Sequence, residues 1–134
     1  VNGEFHTKIP QVTERGTMEG VHLVFKNGRV AEATATKGEE ALYYYTGLTK
    51  AETETKKAVH EAQNTIAELG IGMNPVLDFE KATGSPLIDE KMKGIHIATG
   101  TNEMIGGKTP GAIGGISVEH WDFIVGKIDE IVAV

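Results

Sequence analysis

Apolar and polar residues alternate through His120-Trp121-Asp122-Phe123, and β-branched residues continue the run to Val125. This period of two predicts a strand over residues 120–125. His120 and Asp122 then share one face of the strand, and the two aromatic side chains share the other. The alternation therefore places an imidazole beside a carboxylate, over a hydrophobic layer.

A hairpin is predicted around Asn27-Gly28, the dipeptide that best suits a two-residue type I′ turn. Its arms are residues 20–26 and 29–36, both rich in apolar residues at alternate positions. Strict alternation in the second arm puts Val30 on the face opposite Ala33.

A helix is predicted from the capping box at residues 49–52 to about Leu69, with Gly70 as the residue that ends it. Val59, Ile66 and Leu69 belong to its apolar stripe. Glu68 then lies in the last turn, away from that stripe and on an acidic face. Periodicity alone interprets Glu68 as a solvated carboxylate.

The remaining predicted elements are short. In chain order they are a strand over 4–9, helical turns over 79–83 and 89–92, a strand over 94–99, a glycine-rich loop over 100–115 and a closing strand over 128–134. The fold class that follows is α+β: a mixed, mostly antiparallel sheet with one long helix and a mobile glycine-rich loop near the candidate site.

Composition narrows the function classes. The 134 residues predict a single domain over 1–134, and the net charge of −6 argues against a nucleic-acid partner. The sequence has no apolar run long enough to span a membrane and no signal peptide, so we expect a cytoplasmic protein. It begins at Val1 and stops within a β-like run, which suggests part of a longer polypeptide.

Because the chain has no cysteine, a bound metal must be held by histidine, aspartate and glutamate. His96 lies just before the glycine-rich loop, and His120 and Asp122 follow it, so the three can converge at its base. Two histidines and one carboxylate suit a non-haem iron site, and also zinc or cobalt hydrolases. The alternative is that each is an ordinary core or surface residue.

Other acids and histidines give weaker signals. Glu4 and His6 share a strand face in the same i, i+2 way, but an exposed polar face explains them equally well. Glu90 and Glu103 are acids near the loop, and either can serve as a general base or remain a solvated carboxylate.

Four parts of the sequence together resemble the C-terminal metal-binding domain of the thermophilic-type metalloaminopeptidases, the family of aminopeptidase T and its leucyl aminopeptidase-like relatives. The first part is Asn2-Gly3-Glu4-Phe5-His6, and the second is the hairpin around Asn27-Gly28 with Gly38-Glu39-Glu40. The third is residues 66–75 around Glu68, and the fourth runs from Asp89-Glu90-Lys91 through His96 to His120-Trp121-Asp122. The similarity spans almost the whole chain.

The resemblance implies a set of metal ligands, namely Glu4, Glu68, His96, His120 and Asp122. It implies a dinuclear zinc or cobalt site bridged by Glu68, which also acts in catalysis, and an aminopeptidase activity on small peptides. Relatives of this fold include non-haem iron enzymes that open dihydroxypyridine rings. For those, the resemblance implies a single iron on His96, His120 and Asp122.

The sequence also departs from the family pattern. The peptidases carry a tyrosine seven residues after the first histidine, where this chain has Glu103, which becomes the candidate catalytic acid or base. The family's N-terminal domain, which helps to form the substrate cleft, is not in this sequence. A third hypothesis is therefore a non-catalytic processed fragment, which would form a homo-oligomer through exposed β edges.

Overall fold

The hairpin around Asn27-Gly28 is confirmed in the computed structural model, which describes residues 1–7, 9–77, 83–92 and 94–126. Both turn residues have positive φ, 52° for Asn27 and 76° for Gly28, as a type I′ turn requires. The second arm is not strictly alternating, because the register shifts between its pairings with Val24 and Phe25. That β-bulge turns Val30 and Ala33 to the same buried side.

The described residues form short strands and helices in the following order. They are β1 (Gly3–His6), β2 (Gln11–Thr13), β3 (Gly16–Met18), β4 (His22–Lys26), β5 (Arg29–Thr34), α1 (Glu39–Tyr45), α2 (Glu54–Gln63), β6 (Ile66–Gly72), α3 (Pro86–Asp89), β7 (Gly94–Gly100), a 3-10 turn (Glu103–Ile105), β8 (Ala112–Ile113), β9 (Ile116–Ser117) and β10 (His120–Gly126).

Two three-stranded antiparallel sheets organise the chain. One has the order β1-β4-β5 and the other the order β10-β7-β6. A bridge between Arg29 and Thr65 links the end of the hairpin to the start of β6. The α+β prediction with mostly antiparallel pairing is therefore confirmed. Among the described residues, every helix is too short or too polar to cross a membrane.

The long predicted helix is confirmed over 54–63 and wrong at both ends: its N-cap is Thr53 rather than a residue of the capping box at 49–52, and residues 66–69 form a strand. α2 begins after Thr53, whose side chain accepts a hydrogen bond from the Lys56 N–H at 3.2 Å, and it ends at Gln63. The chain then enters β6, so Glu68 and Gly70 lie in a strand. Two glycines within this segment weaken a helix by about 1 kcal/mol each. Pairing with β7 decides the outcome.

The main core lies between the sheets and α1. Phe123 is fully buried there with Leu23 and Leu42, and the Trp121 ring stacks on Tyr45 with centroids 4.1 Å apart. The prediction that the two aromatic residues of β10 face a hydrophobic layer is therefore confirmed. α1, which the sequence patterns left unassigned, contributes Leu42 to this core.

Several smaller predictions have mixed outcomes. The strand over 94–99 is confirmed as β7, and the strand over 120–125 as β10. The first strand ends at His6, and the helical turn expected over 89–92 lies earlier, at Pro86–Asp89. The glycine-rich loop contains the β8–β9 hairpin. The elements predicted over 128–134 and most of 79–83 lie outside the described residues.

Candidate metal centre

The site is built on one face of the β10-β7-β6 sheet. Asp122 of β10 and Glu68 of β6 both pair with Ala98 of the central strand β7. Residues paired directly across antiparallel strands project to the same face, so the two carboxylates flank Ala98 from opposite sides. Ala98 is fully buried, and its single methyl group leaves room for them to approach each other.

A β-bulge brings Glu68 to this face. The register of β6 against β7 shifts between Ile66 and Glu68, so that Ala67 is the extra residue. In a regular ladder continued from the Ile66–Thr99 pair, Glu68 would pair with Ile97 and project to the opposite face, because side chains alternate along a strand. Bulges of this kind re-aim side chains next to functional sites.

Two histidines complete the cluster. His96 precedes Ala98 by two residues on β7, and His120 precedes Asp122 by two residues on β10, so both lie on the same face. The Nε2 atom of His96 lies 3.5 Å from Oε1 of Glu68, and that of His120 lies 3.3 Å from Oε2. Oδ1 of Asp122 lies 3.9 Å from the first imidazole and 3.5 Å from the second.

Backbone contacts fix the orientation of the β10 residues. Nδ1 of His120 donates to the carbonyl oxygen of Thr101 at 2.7 Å, which directs Nε2 toward the carboxylates. The buried Gln11 amide donates to the carbonyl oxygen of Asp122 at 2.8 Å. An imidazole held by a carbonyl at one nitrogen and free at the other is the usual arrangement of a metal-ligating histidine.

His96 is positioned by the absence of a side chain at Gly70. A Cβ atom at Gly70 would lie 2.0 Å from Nε2 of the imidazole, so only glycine leaves space for the ring there. Two residues later, Gly72 also leaves no space for a side chain, because a Cβ there would lie 1.8 Å from the carbonyl oxygen of Met92. On this face β6 therefore has one carboxylate, Glu68, followed by two positions, Gly70 and Gly72, where neighbouring atoms occupy the space of a side chain.

The charges of the cluster are strongly interdependent. Contact with Asp122 raises the pKa of His120 to about 9, against the opposing effect of burial. Burial by itself would raise the pKa of the Asp122 carboxyl, but the neighbouring His120 outweighs it and lowers that pKa. The cluster therefore favours an imidazolium beside an ionised carboxylate when a proton occupies the site.

The donor set fits a divalent metal. Oδ1 of Asp122 is buried and has no hydrogen-bond partner among the described residues, although an ionised carboxylate normally has several. In a tetrahedral site with bonds of about 2.0–2.2 Å, donor atoms lie roughly 3.3–3.6 Å apart. The four separations here, from 3.3 to 3.9 Å, approach that spacing.

Glu90 is a fifth participant. Ligand atoms of Glu90, His96 and Asp122 lie within 4.8 Å of one another, as do those of Glu68, His120 and Asp122. The Glu90 side chain is mostly buried and forms an ion pair with Lys91. The cluster therefore consists of two overlapping triads that share Asp122.

A cleft of roughly 490 Å³ opens over the His96 side of the cluster. Its lining includes Glu68, His96 and Glu90, together with Met73, whose side chain is exposed. Polar groups beside apolar ones are typical of a small-molecule or peptide site.

Four of the five predicted ligands come together, and Glu4 does not join them. The Glu4 carboxylate lies on the β1-β4-β5 sheet, 3.2 Å from Nε2 of His22. Glu103, the other predicted catalytic acid, is exposed and accepts a hydrogen bond from the Gly111 N–H at 3.0 Å. Glu90, which the sequence suggested only as a general base or a solvated acid, lies in the cluster. No local sequence pattern distinguishes it from other loop acids.

Comparison with known proteins adds a likeness of fold. No protein-family model matches the sequence. No curated protein matches it. A solved structure, wild-type AmpT (aminopeptidase T) from Thermus thermophilus, is similar with a TM-score of 0.63 at 20% sequence identity. The similarity covers 93% of this chain and 30% of the AmpT chain, so this chain has a fold like that of part of AmpT.

Proposed function

We propose that this chain is the metal-binding domain of a metallopeptidase-like hydrolase, with Glu68, His96, His120 and Asp122 as ligands. The observation that carries the proposal is the convergence of these side chains from three strands around Oδ1 of Asp122, which has no hydrogen-bond partner in the described part of the chain. Imidazole and carboxylate donors together suit zinc and cobalt. The likeness of fold to part of AmpT supports the same class.

We further propose that the centre holds two metal ions. Each carboxylate oxygen of Glu68 faces a different imidazole, Oε1 toward His96 and Oε2 toward His120. Oδ1 of Asp122 likewise lies near both imidazoles, so each imidazole has two carboxylates beside it. This arrangement supports Glu68 as the bridging ligand.

The chemistry of such a centre is hydrolytic. Bound zinc or cobalt would activate a water molecule and polarise a peptide carbonyl. Glu90, which forms an ion pair with Lys91 and lines the cleft, would accept a proton from that water. The exposed Met73 would contact an apolar side chain of a peptide. Together with the likeness of fold to part of an aminopeptidase, this supports small peptides cleaved at their N-terminus as the substrate class we propose.

The single-iron alternative uses fewer of the converging groups. It needs only His96, His120 and Asp122, and it leaves the carboxylates of Glu68 and Glu90 without a role. Because the ligand atoms of Glu68 lie as close to the imidazoles as those of Asp122, the hydrolase is favoured.

Metal titration tests the ligand set. Purified chain, stripped of metal, is titrated with Zn²⁺ by calorimetry and with Co²⁺ by visible absorption. We expect Glu68→Gln and His120→Ala each to weaken binding at this centre by at least about tenfold, because even outer-shell changes cost 10–100-fold in metal affinity. Glu61→Gln, on an exposed helix residue, is the matched control. Unchanged affinity in Glu68→Gln and His120→Ala would refute the centre.

Activity is tested separately on the loaded protein. The chain with zinc or cobalt is assayed on aminoacyl p-nitroanilides, and the chain with ferrous ion is assayed for oxygen uptake with a dihydroxypyridine. Release of p-nitroaniline that is lost in Glu68→Gln supports the hydrolase. Oxygen uptake that survives Glu68→Gln would favour the iron enzyme. Tight metal binding with neither activity would point to the non-catalytic alternative.

A further inference from the structure

A second group of metal-ligand side chains lies on the other sheet, on the face opposite the core. Glu4 and His6 project from β1, and His22 projects from β4. The core face of the same strands is formed by Phe5 and Leu23, both buried. This group, which we call the outer cluster, therefore lies on the side of the sheet that faces solvent.

The strand register defines the outer cluster. His6 and His22 pair directly across the two strands, so their side chains lie side by side on one face. Their rings stack with centroids 4.0 Å apart and an angle of 3° between planes. Glu4 lies two residues from His6 on the same face, and its Oε2 atom is 3.2 Å from Nε2 of His22.

We propose that Glu4, His6 and His22 bind a divalent transition metal at a surface site independent of the β10-β7-β6 centre. Each residue offers one ligand atom, and the three atoms lie within 4.8 Å of one another. Coordination requires separations of about 3.3–3.6 Å, so small side-chain rotations are sufficient. With side chains 68% and 31% exposed, Glu4 and His22 can make these rotations at little packing cost.

The donors define the class of metal. Two imidazoles favour zinc, copper and nickel over magnesium or calcium, which prefer oxygen ligands. Three protein donors leave at least one position open to water or another ligand.

A second metal-binding cluster changes how the metal stoichiometry of the chain should be interpreted. Two ions per chain can reflect a dinuclear centre on β10-β7-β6, or one ion there and one at the outer cluster. The two explanations differ in the residues that matter. If Glu4 belonged to the first centre, His6 and His22 would have no effect on metal content.

The test uses Zn²⁺ and Cu²⁺ alone as probes on the metal-stripped chain, with stoichiometry from calorimetry. We expect His6→Gln and His22→Gln each to weaken one zinc-binding event by at least about tenfold. The binding event that Glu68→Gln weakens should be unchanged in these two variants. His60→Gln, which changes a histidine of α2, is the matched control. Unchanged binding in both His6→Gln and His22→Gln would overturn the proposal, as would an effect of Glu4→Gln without any effect of the two histidine variants.

A variant-free measurement keeps the test decisive if a substitution disturbs folding. In the wild-type chain, zinc should shift the imidazole C–H signals of His6 and His22 together, in a step separable from the shifts of His96 and His120. Imidazole signals of His6 and His22 that stay unmoved through the full titration would also overturn the site.

Discussion

Replacing Gly70 with alanine tests the packing that positions His96. The new Cβ atom would lie 2.0 Å from Nε2 and 2.1 Å from Cε1 of the imidazole. An ordinary van der Waals contact begins at about 3.4 Å, so the imidazole must move away from the new Cβ atom by about 1.4 Å. A metal–nitrogen bond of about 2.0–2.1 Å cannot be kept over such a displacement.

We therefore expect Gly70→Ala to raise the dissociation constant for zinc about 100-fold. This is about 2.8 kcal/mol at 1.4 kcal/mol per tenfold change. Calorimetric titration of the metal-stripped protein measures it. Gly111→Ala is the matched control, because its Cβ would make only an ordinary contact of 3.5 Å with Glu103 and its backbone is not left-handed.

The effect of Gly70→Ala on stability should disappear or change sign when His96 is removed. In a His96→Ala background the methyl group no longer meets an imidazole. Gly70→Ala should then be neutral or should stabilise the metal-free fold by about 0.5–1 kcal/mol, since glycine weakens a strand interior by that amount. Wild-type zinc affinity in Gly70→Ala, or an equal loss of stability with and without His96, would refute the steric argument.

Three further substitutions test the fold by urea denaturation. Gly28→Ala should lower the free energy of unfolding by about 1–2 kcal/mol, because alanine must hold a φ of 76°; no change would contradict the type I′ turn. Gln63→Ala should cost about 1–3 kcal/mol, since its buried amide donates to the carbonyl of Tyr45 at 2.9 Å and accepts from the N–H of Glu119 at 2.8 Å; faster hydrogen exchange at Glu119 should accompany it. Phe123→Ala should cost about 3–5 kcal/mol, whereas the exposed Val12→Ala should change stability by less than about 0.5 kcal/mol.

The parts of the fold that follow local rules were predictable from the sequence. Alternation in β10 placed His120 and Asp122 together, and the Asn27-Gly28 turn placed the first hairpin. Both depend on residues within a few positions of one another. The predicted class, α+β with mostly antiparallel strands, follows from such elements.

The environment of Glu68 was not predictable in the same way. A helical period runs through residues 59–69, but pairing with β7 outweighs it, and the bulge at Ala67 sets the face. Both features depend on a strand some thirty positions away in the sequence. Gly70 shows the same difference. Its position suggested the end of a helix, whereas its role is to leave space for the His96 ring.

Glu4 illustrates a different difficulty. Its order in the chain matches a ligand of the resembled family, but order along a chain does not determine which sheet face a side chain occupies. The structure pairs it with His22, and only the register of β1 against β4 reveals this contact. Glu90 is the converse case, a loop acid that reaches the cluster through the path of the chain between α3 and β7.

Because Glu68 lies on β6, loss of metal would affect how firmly β6 is held at the edge of its sheet. Among the described residues, β6 has one hydrogen-bonded neighbour in its sheet, β7, and along it the side chains of Leu69 and Ile71 are each 66% exposed. An ion held by Glu68 together with residues of β7 and β10 would link this edge strand to two other strands. Loss of the ion would allow β6 to separate more often, exposing unpaired backbone that can pair with another chain. Depletion of metal and self-association would then be two aspects of one event.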